Sequence, residues 1–189
     1  PKPGKPDSFK ATSYGYKGTK LSWSKSTRAE GYRVYVATTK TGKYKYLKQL
    51  SGGTNTTNIN IGLKPGKTYY YRVRAYDIVG GGVKIFSSYT SKLGAKPKPA
   101  KPKNMILKAG SKKVAVSWSK VKGATRYQIY RATSKSGKYT RIATIKGTKI
   151  TNKKLKKGKN YYYKVRAYRT EKGKRTYGSF CGVASAKAK

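Results

Sequence analysis

Cations and aromatic rings are the residues of this chain whose types and numbers could do chemistry. The 189 residues include 47 Lys and Arg and 19 Tyr but only 4 Asp and Glu, so the net charge is +43. Guanidinium and ammonium groups bind phosphates and carboxylates, and rings offer stacking faces to sugars or bases. The composition therefore favours contact with anionic partners.

Catalytic chemistry would need clustered proton donors, nucleophiles or metal ligands. The chain has no His, and its four acids are Asp7, Glu30, Asp77 and Glu171, which form no evident pair for acid–base work or for calcium. Cys181 is the single cysteine, which excludes an intramolecular disulfide and a Cys/His zinc site. We interpret Cys181 as a packed, small apolar side chain. The sequence predicts no enzymatic activity and no cofactor.

An internal repeat organises the chain. Leu21-Ser22-Trp23-Ser24-Lys25 recurs 95 residues later as Val116-Ser117-Trp118-Ser119-Lys120, and three further blocks recur in the same order. The last of these is Gly66–Tyr76, which returns as Gly158–Tyr168. Self-similarity of this kind indicates duplicated structural units. We therefore predict two domains, residues 1–96 and residues 97–189.

Proline-rich segments precede both copies. Pro1-Lys2-Pro3-Gly4-Lys5-Pro6 is matched by Pro97-Lys98-Pro99-Ala100-Lys101-Pro102. Proline lacks a backbone donor and favours polyproline II, and repulsion between lysines extends such a segment further. We predict a semi-rigid Pro/Lys linker, and we expect neighbouring domains in a longer chain.

Period-two alternation of apolar and polar residues predicts half-buried strands in both copies. Turn signals such as Thr41-Gly42-Lys43 and Lys64-Pro65-Gly66 separate them. Short strands at this spacing predict an all-β sandwich or small barrel. The side chains expected to fill its core are Trp23, Tyr32, Tyr71, Trp118, Tyr127 and Tyr163.

The motifs resemble those of the fibronectin type III family. Trp23 on the second strand, Tyr32-Arg33-Val34 on the third, and Leu63-Lys64-Pro65-Gly66-Lys67-Thr68-Tyr69 before Val73 and Ala75 are similar to its signature, and the second copy departs only in placing Lys157 where the first has Pro65. The resemblance implies two tandem seven-stranded Greek-key (immunoglobulin-like) sandwiches, with Tyr69 and Tyr161 as the corner tyrosines. The Lys- and Tyr-rich style resembles copies from secreted or surface proteins of Gram-positive bacteria. We expect an extracellular or cell-surface location.

Outward positions on two neighbouring strands predict a surface of alternating cations and rings. If Tyr69, Tyr71 and Val73 face inward, their neighbours face outward. The candidate polyanion-binding residues are Arg33, Tyr35, Tyr70, Arg72, Arg74 and Tyr76 in the first copy and Tyr130, Tyr162, Lys164, Arg166 and Tyr168, beside Gln128, in the second. Two interpretations stay open, since Arg stems also stack on rings to protect an exposed sheet face.

The second copy carries more of the charge. Residues 1–96 have 19 Lys and Arg with 3 acids, whereas residues 97–189 have 28 with 1 acid. One loop clusters Lys153, Lys154, Lys156 and Lys157, which we add to the candidate polyanion-binding residues.

Three functions fit these features. The first is an extracellular structural and adhesive module that spaces or anchors a surface protein, either passively or while contacting anionic wall polymers such as teichoic acid or acidic polysaccharide. The second is a nucleic-acid-binding module, although no nucleic-acid-binding motif is present. The third is an accessory domain pair of a secreted polysaccharide-degrading enzyme or wall hydrolase. No apolar run is long enough to span a membrane.

Overall fold

A computed structural model describes residues 1–189 as two compact units, Pro1–Pro97 and Lys98–Lys189. Apart from a single 3-10 turn at Gly80–Gly82, the regular structure is β-strand throughout. The strands of the first unit are β1 Lys10–Ser13, β2 Thr19–Ser22, β3 Gly31–Ala37, β4 Lys45–Ser51, β5 Thr57–Asn60, β6 Tyr69–Val79, β7 Val83–Phe86 and β8 Leu93–Ala95. Those of the second are β9 Ile106–Gly110, β10 Lys113–Ser117, β11 Arg126–Ala132, β12 Thr140–Ile145, β13 Lys149–Asn152, β14 Asn160–Glu171, β15 Lys174–Phe180 and β16 Ala184–Lys187.

Each unit is a sandwich of a three-stranded and a five-stranded antiparallel sheet. In the first unit the orders are β1-β2-β5 and β4-β3-β6-β7, and β8 also pairs with β6. The second unit repeats this arrangement with β9-β10-β13 and β12-β11-β14-β15, where β16 also pairs with β14. Sequential strands cross between the two sheets, as in a Greek-key sandwich. The predicted all-β, tandem sandwich fold is confirmed.

The last strand of each sandwich is interrupted, which divides the seven expected strands into eight segments. β7 pairs with Tyr76–Val79 of β6, and β8 pairs with Tyr69–Tyr71. Between these pairings, side-chain hydroxyl oxygens take the place of backbone acceptors. Val73 N–H donates to Thr90 Oγ1 at 3.0 Å, and Ala75 N–H donates to Ser87 Oγ at 2.9 Å. The backbone donors of β6 therefore stay satisfied across the break.

Aromatic and branched side chains fill the space between the sheets, because alternation along each strand sends them inward. Tyr32, Val34, Tyr71 and Val73 have no exposed surface in the first unit, and Trp23 is 5% exposed. Their counterparts in the second unit are Tyr127, Ile129, Tyr163, Val165 and Trp118, which are likewise buried. These positions match the core expected from the sequence.

The buried tyrosines also bring their hydroxyls to polar partners. Tyr71 Oη lies 2.7 Å from Thr19 Oγ1 and accepts from Asn60 Nδ2, and Tyr163 Oη accepts from Asn152 Nδ2. A buried hydroxyl without such a partner would cost about 1–3 kcal/mol. The core is therefore held by directed bonds as well as by apolar packing.

The corner tyrosines close the turn before the long central strand of each unit. Lys64 N–H donates to Tyr69 Oη at 3.0 Å, and Lys156 N–H donates to Tyr161 Oη at 3.0 Å. Gly66 and Gly158 stand in this turn at φ 75° and 77°, a region that favours glycine. The second copy keeps this geometry although Lys157 stands where the first copy has Pro65.

Proline side chains of the linker are buried and not solvated. Pro97 accepts a hydrogen bond from Gly66 N–H in the first unit. In the second unit, Gly178 lies so close to the carbonyls of Pro99 and Ala100 that a Cβ there would overlap the Pro99 oxygen. Pro97 is therefore bound to the first unit and Pro99 lies against the second, which are contacts that the predicted semi-rigid polyproline II linker did not include.

Candidate functional site

The outer face of the five-stranded sheet carries stacked cations and rings in the first unit. Arg74 lies over the Phe86 ring at 3.8 Å from guanidinium carbon to centroid, and Arg72 lies over the Tyr89 ring at 3.7 Å. Arg33 covers the Phe86 ring at 4.7 Å. Adjacent strands place these side chains side by side, since β3 pairs with β6 and β6 with β7. We call this arrangement the ring–cation ladder of the first unit: Arg33, Phe86, Arg74, Tyr89, Arg72 and Tyr44.

The second unit builds a ladder at the equivalent place with different residues. Arg166 lies 4.3 Å from the Tyr177 centroid, and Lys164 lies between the Phe180 and Tyr139 rings at 4.7 and 4.1 Å. This ladder is Tyr177, Arg166, Phe180, Lys164 and Tyr139. The order of ring and cation is the same as in the first unit although Phe and Tyr exchange places.

Arg74 and Arg166 also donate hydrogen bonds to side chains of the protein itself, although Arg72 Nε and Arg74 Nε are buried without a hydrogen-bond partner. Arg74 Nη2 donates to Tyr35 Oη at 2.8 Å. Arg166 donates from Nε to Gln128 Oε1 at 2.9 Å and from Nη2 to Tyr130 Oη at 3.2 Å. The cation–π contacts of the ladders, such as Arg74 over Phe86, are worth about 0.5–2 kcal/mol each where the cation is partly desolvated. They hold the rings in fixed positions over an otherwise open sheet face.

The expected outward rings need a correction at three positions. Tyr76 and Tyr168 are only 2% and 3% exposed, and Tyr35 is 9% exposed. Tyr76 lies over Gly31, where the missing side chain leaves room for its ring, and Tyr168 packs on Tyr177 with ring centroids 5.3 Å apart. Alternation predicted the correct side of the sheet for these rings, but it did not predict that residues of neighbouring strands would bury them. These rings are therefore not accessible stacking faces.

Gln128 needs the same correction, since it is only 2% exposed. The remaining outward candidates, Arg33, Tyr70, Arg72, Arg74, Tyr130, Tyr162, Lys164 and Arg166, are half-buried.

Six rings of the ladders came from parts of the chain that the alternation argument did not reach. The last strand supplies Phe86 and Tyr89 in one unit and Tyr177 and Phe180 in the other. The spacing Phe86-x-x-Tyr89 recurs as Tyr177-x-x-Phe180, three residues apart in both copies. The repeated Gly-Lys-Tyr motif likewise ends on the ladder rings Tyr44 and Tyr139. Repetition in both copies was the signal that could have identified them.

The clustered lysines lie in the turn between β13 and β14. Lys153, Lys154, Lys156 and Lys157 are all exposed around the buried side chain of Leu155. Leu155 N–H donates to the Lys112 carbonyl, which ties the turn to the β9–β10 hairpin. These lysines therefore form a solvated cluster away from the ladder of β11, β14 and β15.

The acids and the cysteine are used in local structure. Arg169 Nη2 and Glu171 Oε1 lie 2.8 Å apart, and Arg28 and Asp77 lie 4.0 Å apart. Cys181 accepts from Val165 N–H at 3.2 Å, and burial raises the pKa of its thiol. No group of three or more His, Cys, Asp or Glu comes together in residues 1–189, and no helix there is long and apolar enough to cross a bilayer.

Comparison with known proteins decides the family. Residues 4–91 match the family model described as "Fibronectin type III domain". The first unit is a fibronectin type III domain. The second unit repeats its strand order, its core Trp and its corner Tyr, and therefore has the same fold as the first. Domains of this family are typically non-catalytic accessory modules.

The fibronectin type III fold of both units is also that of a solved tandem segment. The two-domain fibronectin type III segment from chicken tenascin covers 97% of this chain and 99% of its own, with 18% identity and a TM-score of 0.50. At this identity the likeness concerns the fold.

Two curated relatives are bacterial enzymes. An amylopullulanase of Thermoanaerobacterium saccharolyticum is 33% identical over 50% of this chain and 8% of its own length. Exoglucanase B of Cellulomonas fimi is 28% identical over 78% of this chain and 13% of its own length. The tandem pair thus spans only a small fraction of the curated relatives that it matches.

Proposed function

We propose that the tandem fibronectin type III pair is a non-catalytic accessory module of a longer, secreted, polysaccharide-acting protein. In this function it separates the flanking domains and contacts anionic polymers through its basic surface. The relatives support this proposal, since amylopullulanase and exoglucanase B are many times longer than the stretch they share with this chain.

The ring–cation ladder is the structural observation that carries the proposal. It covers the sheet face with rings and cations that bind one another, as in the stacking of Arg72 on Tyr89 and Arg74 on Phe86. A face closed in this way suits a rigid spacer better than an inducible binding cleft. The cations that remain free for a polymer are the exposed ones outside the ladder, including Lys153 and Lys157.

Surface charge supports the contact with anionic polymers. With +43 on 189 residues, release of counterions from a bound polyanion would favour association strongly at low salt. Nucleic acid is a weaker candidate on the outer sheet face, because base stacking needs exposed rings and the candidates Tyr76 and Tyr168 are buried there.

A matched binding panel tests the proposal. The intact chain is titrated with teichoic acid, polygalacturonate, duplex DNA and a neutral glucan across a range of salt concentrations. We expect the acidic wall and polysaccharide polymers to remain bound near physiological salt after DNA has been released. Release of all polyanions together would leave a spacer without a polymer ligand, and preferred binding of DNA would favour the nucleic-acid-binding alternative.

A further inference from the structure

A cavity of about 780 Å³ opens on the outer face of the second unit, beyond its ladder. Four exposed cations line it: Arg126 from β11, Arg141 from β12, Lys146 just after β12, and Arg175 from β15. None of these four belongs to the ladder or to the lysine cluster. They come from three different strands and the turn after one of them, so the fold alone brings them together.

No carboxylate lines this cavity. Glu171 is the only acid of residues 97–189, and its Oε1 accepts from Arg169 Nε and Nη2 at 3.1 and 2.8 Å. Thr170 lines the cavity, and alternation along β14 turns Glu171 to the other side. Four like charges around one concavity repel each other, and a bound anion would relieve that repulsion.

A buried amide provides a second, uncharged feature of the same cavity. Gln128 is 2% exposed, and its Oε1 accepts from Arg166 Nε at 2.9 Å and from Tyr130 Oη at 3.3 Å. With the carbonyl oxygen engaged, the amide nitrogen is the end of Gln128 that can donate to a ligand, because Gln128 lines the cavity. The hydrogen bonds from Arg166 and Tyr130 thus fix the Gln128 amide at the inner wall of the cavity.

Different residues stand at the corresponding positions of the first unit. Arg126 corresponds to Gly31, over which the ring of Tyr76 lies. Gln128 corresponds to Arg33, whose Nε donates to Gln49 Oε1 at 3.0 Å. Thr170 corresponds to the apolar Ile78. The two copies therefore differ at the positions that line this cavity and supply its positive charge.

We propose that this cavity binds the oxyanion groups, carboxylate or phosphate, of an acidic glycan. The inference rests on the proposed contact with anionic polymers and locates that contact in this cavity of the second unit. Guanidinium groups form paired hydrogen bonds with planar or tetrahedral oxyanions. The hydroxyls of Thr125, Thr144 and Thr170 add partners for sugar or polyol hydroxyls.

The same lining disfavours nucleic acid as the ligand. Tyr168 is the only aromatic residue of the cavity, and it is 3% exposed. Single-stranded nucleic acids gain about 1–3 kcal/mol per base from stacking on accessible rings. A chain of charged sugars needs no such platform, so the cavity fits an acidic glycan better.

Calorimetric titration of the intact chain at about 150 mM salt tests the inference. The probes are oligogalacturonate for carboxylate, oligo-glycerol phosphate for phosphate, and a single-stranded DNA of matched charge. The cavity variant is Arg126→Gln/Arg141→Gln/Lys146→Gln. Its matched control, Lys153→Gln/Lys154→Gln/Lys156→Gln, removes the same number of charges from the exposed cluster. Circular dichroism melting of both variants checks that the fold is retained.

We expect the cavity variant to lose about tenfold or more in affinity for oligogalacturonate, for oligo-glycerol phosphate or for both. The control variant should lose about threefold or less for either probe. The two probes distinguish carboxylate from phosphate. A second variant, Thr170→Ile, keeps the charge and copies the residue of the first unit. We expect it to weaken glycan binding several-fold with an unchanged dependence on salt.

Equal losses in the cavity variant and its control would overturn the cavity site while leaving the proposed polymer contact standing. Absence of glycan binding by the unaltered chain would refute both the polymer contact and the cavity site. Tighter binding of DNA than of either glycan, lost in the cavity variant, would show that the ligand class is wrong.

Discussion

Cys181 illustrates how one residue type replaces another in the two copies. Val165 N–H donates to Cys181 Sγ at 3.2 Å, and in the first unit Val73 N–H donates to Thr90 Oγ1 at 3.0 Å. Both side chains satisfy a backbone donor of the central strand at the break in the last strand. The cysteine therefore acts as a small acceptor, and its raised pKa agrees with an unreactive thiol.

A pair of substitutions at this position separates hydrogen bonding from packing. We expect Cys181→Thr to keep the acceptor and to change the free energy of unfolding by less than about 1 kcal/mol. Cys181→Val has nearly the same shape but leaves Val165 N–H buried without a partner, which should cost about 1–3 kcal/mol. Urea denaturation measures both variants, and equal stability of the two would show that the sulfur acceptor contributes nothing.

Features of a single strand could be predicted from the sequence, whereas features that depend on the pairing of several strands could not. Alternation and the repeat were enough for the strands and for core residues such as Trp23 and Tyr163, because these depend on local sequence. The corner tyrosines Tyr69 and Tyr161 came from the resemblance to the fibronectin type III family. The burial of Tyr76 depends on Gly31 in a strand that is distant in sequence. That information exists only after the strands have paired.

The rings of the ladder and the cavity were missed for a related reason, although the cations of the ladder were predicted. Phe180 lies close to Lys164 and Arg166 because β15 ends beside the middle of β14, in a last strand that carries little alternation. The cavity depends on strand pairing as well, since its lining residues come from β11, β12, β14 and β15. Single-sequence patterns do not show which of these residues the paired strands bring together.

The ladder should contribute to stability as a connected element. We expect Arg166→Ala to destabilise the second unit by about 1–3 kcal/mol, because it removes stacking on Tyr177 and Phe180 and leaves Gln128 Oε1 without its charged donor. Arg166→Lys should recover only part of this, since an ammonium cannot reproduce the planar contacts. Thermal unfolding gives the values, with the exposed Lys153→Ala as a control expected to be neutral. A loss no greater than that of the control would refute a stabilising ladder.

The charge of the whole molecule acts on both units but not equally. Residues 97–189 carry 28 Lys and Arg against 1 acid, while residues 1–96 carry 19 against 3. Repulsion between like charges weakens a folded state, and salt screens it with a Debye length of about 10 Å at 0.1 M. The second unit should therefore gain more stability from salt.

Single-tryptophan variants allow this to be measured in the intact chain. Trp23→Phe leaves Trp118 as the fluorescent reporter of the second unit, and Trp118→Phe leaves Trp23 as that of the first. We expect the urea midpoint reported by Trp118 to rise more than that reported by Trp23 when sodium chloride increases from about 0.02 to 0.3 M. Equal rises would mean that local ion pairs, and not net charge, control the response.

The interrupted last strand of the first unit affects whether the edge of its sheet can pair with a strand of another sandwich. Two sandwiches with the same strand order share one chain, a situation in which strand exchange and edge-to-edge pairing are characteristic failures. β7 and β8 present pairing segments of only four and three residues, because Ser87 and Thr90 divide the edge between them. An invading strand would find no continuous register along this edge. The same break that uses side-chain hydroxyls to satisfy the backbone donors of β6 thus disfavours strand addition at this edge of the first unit.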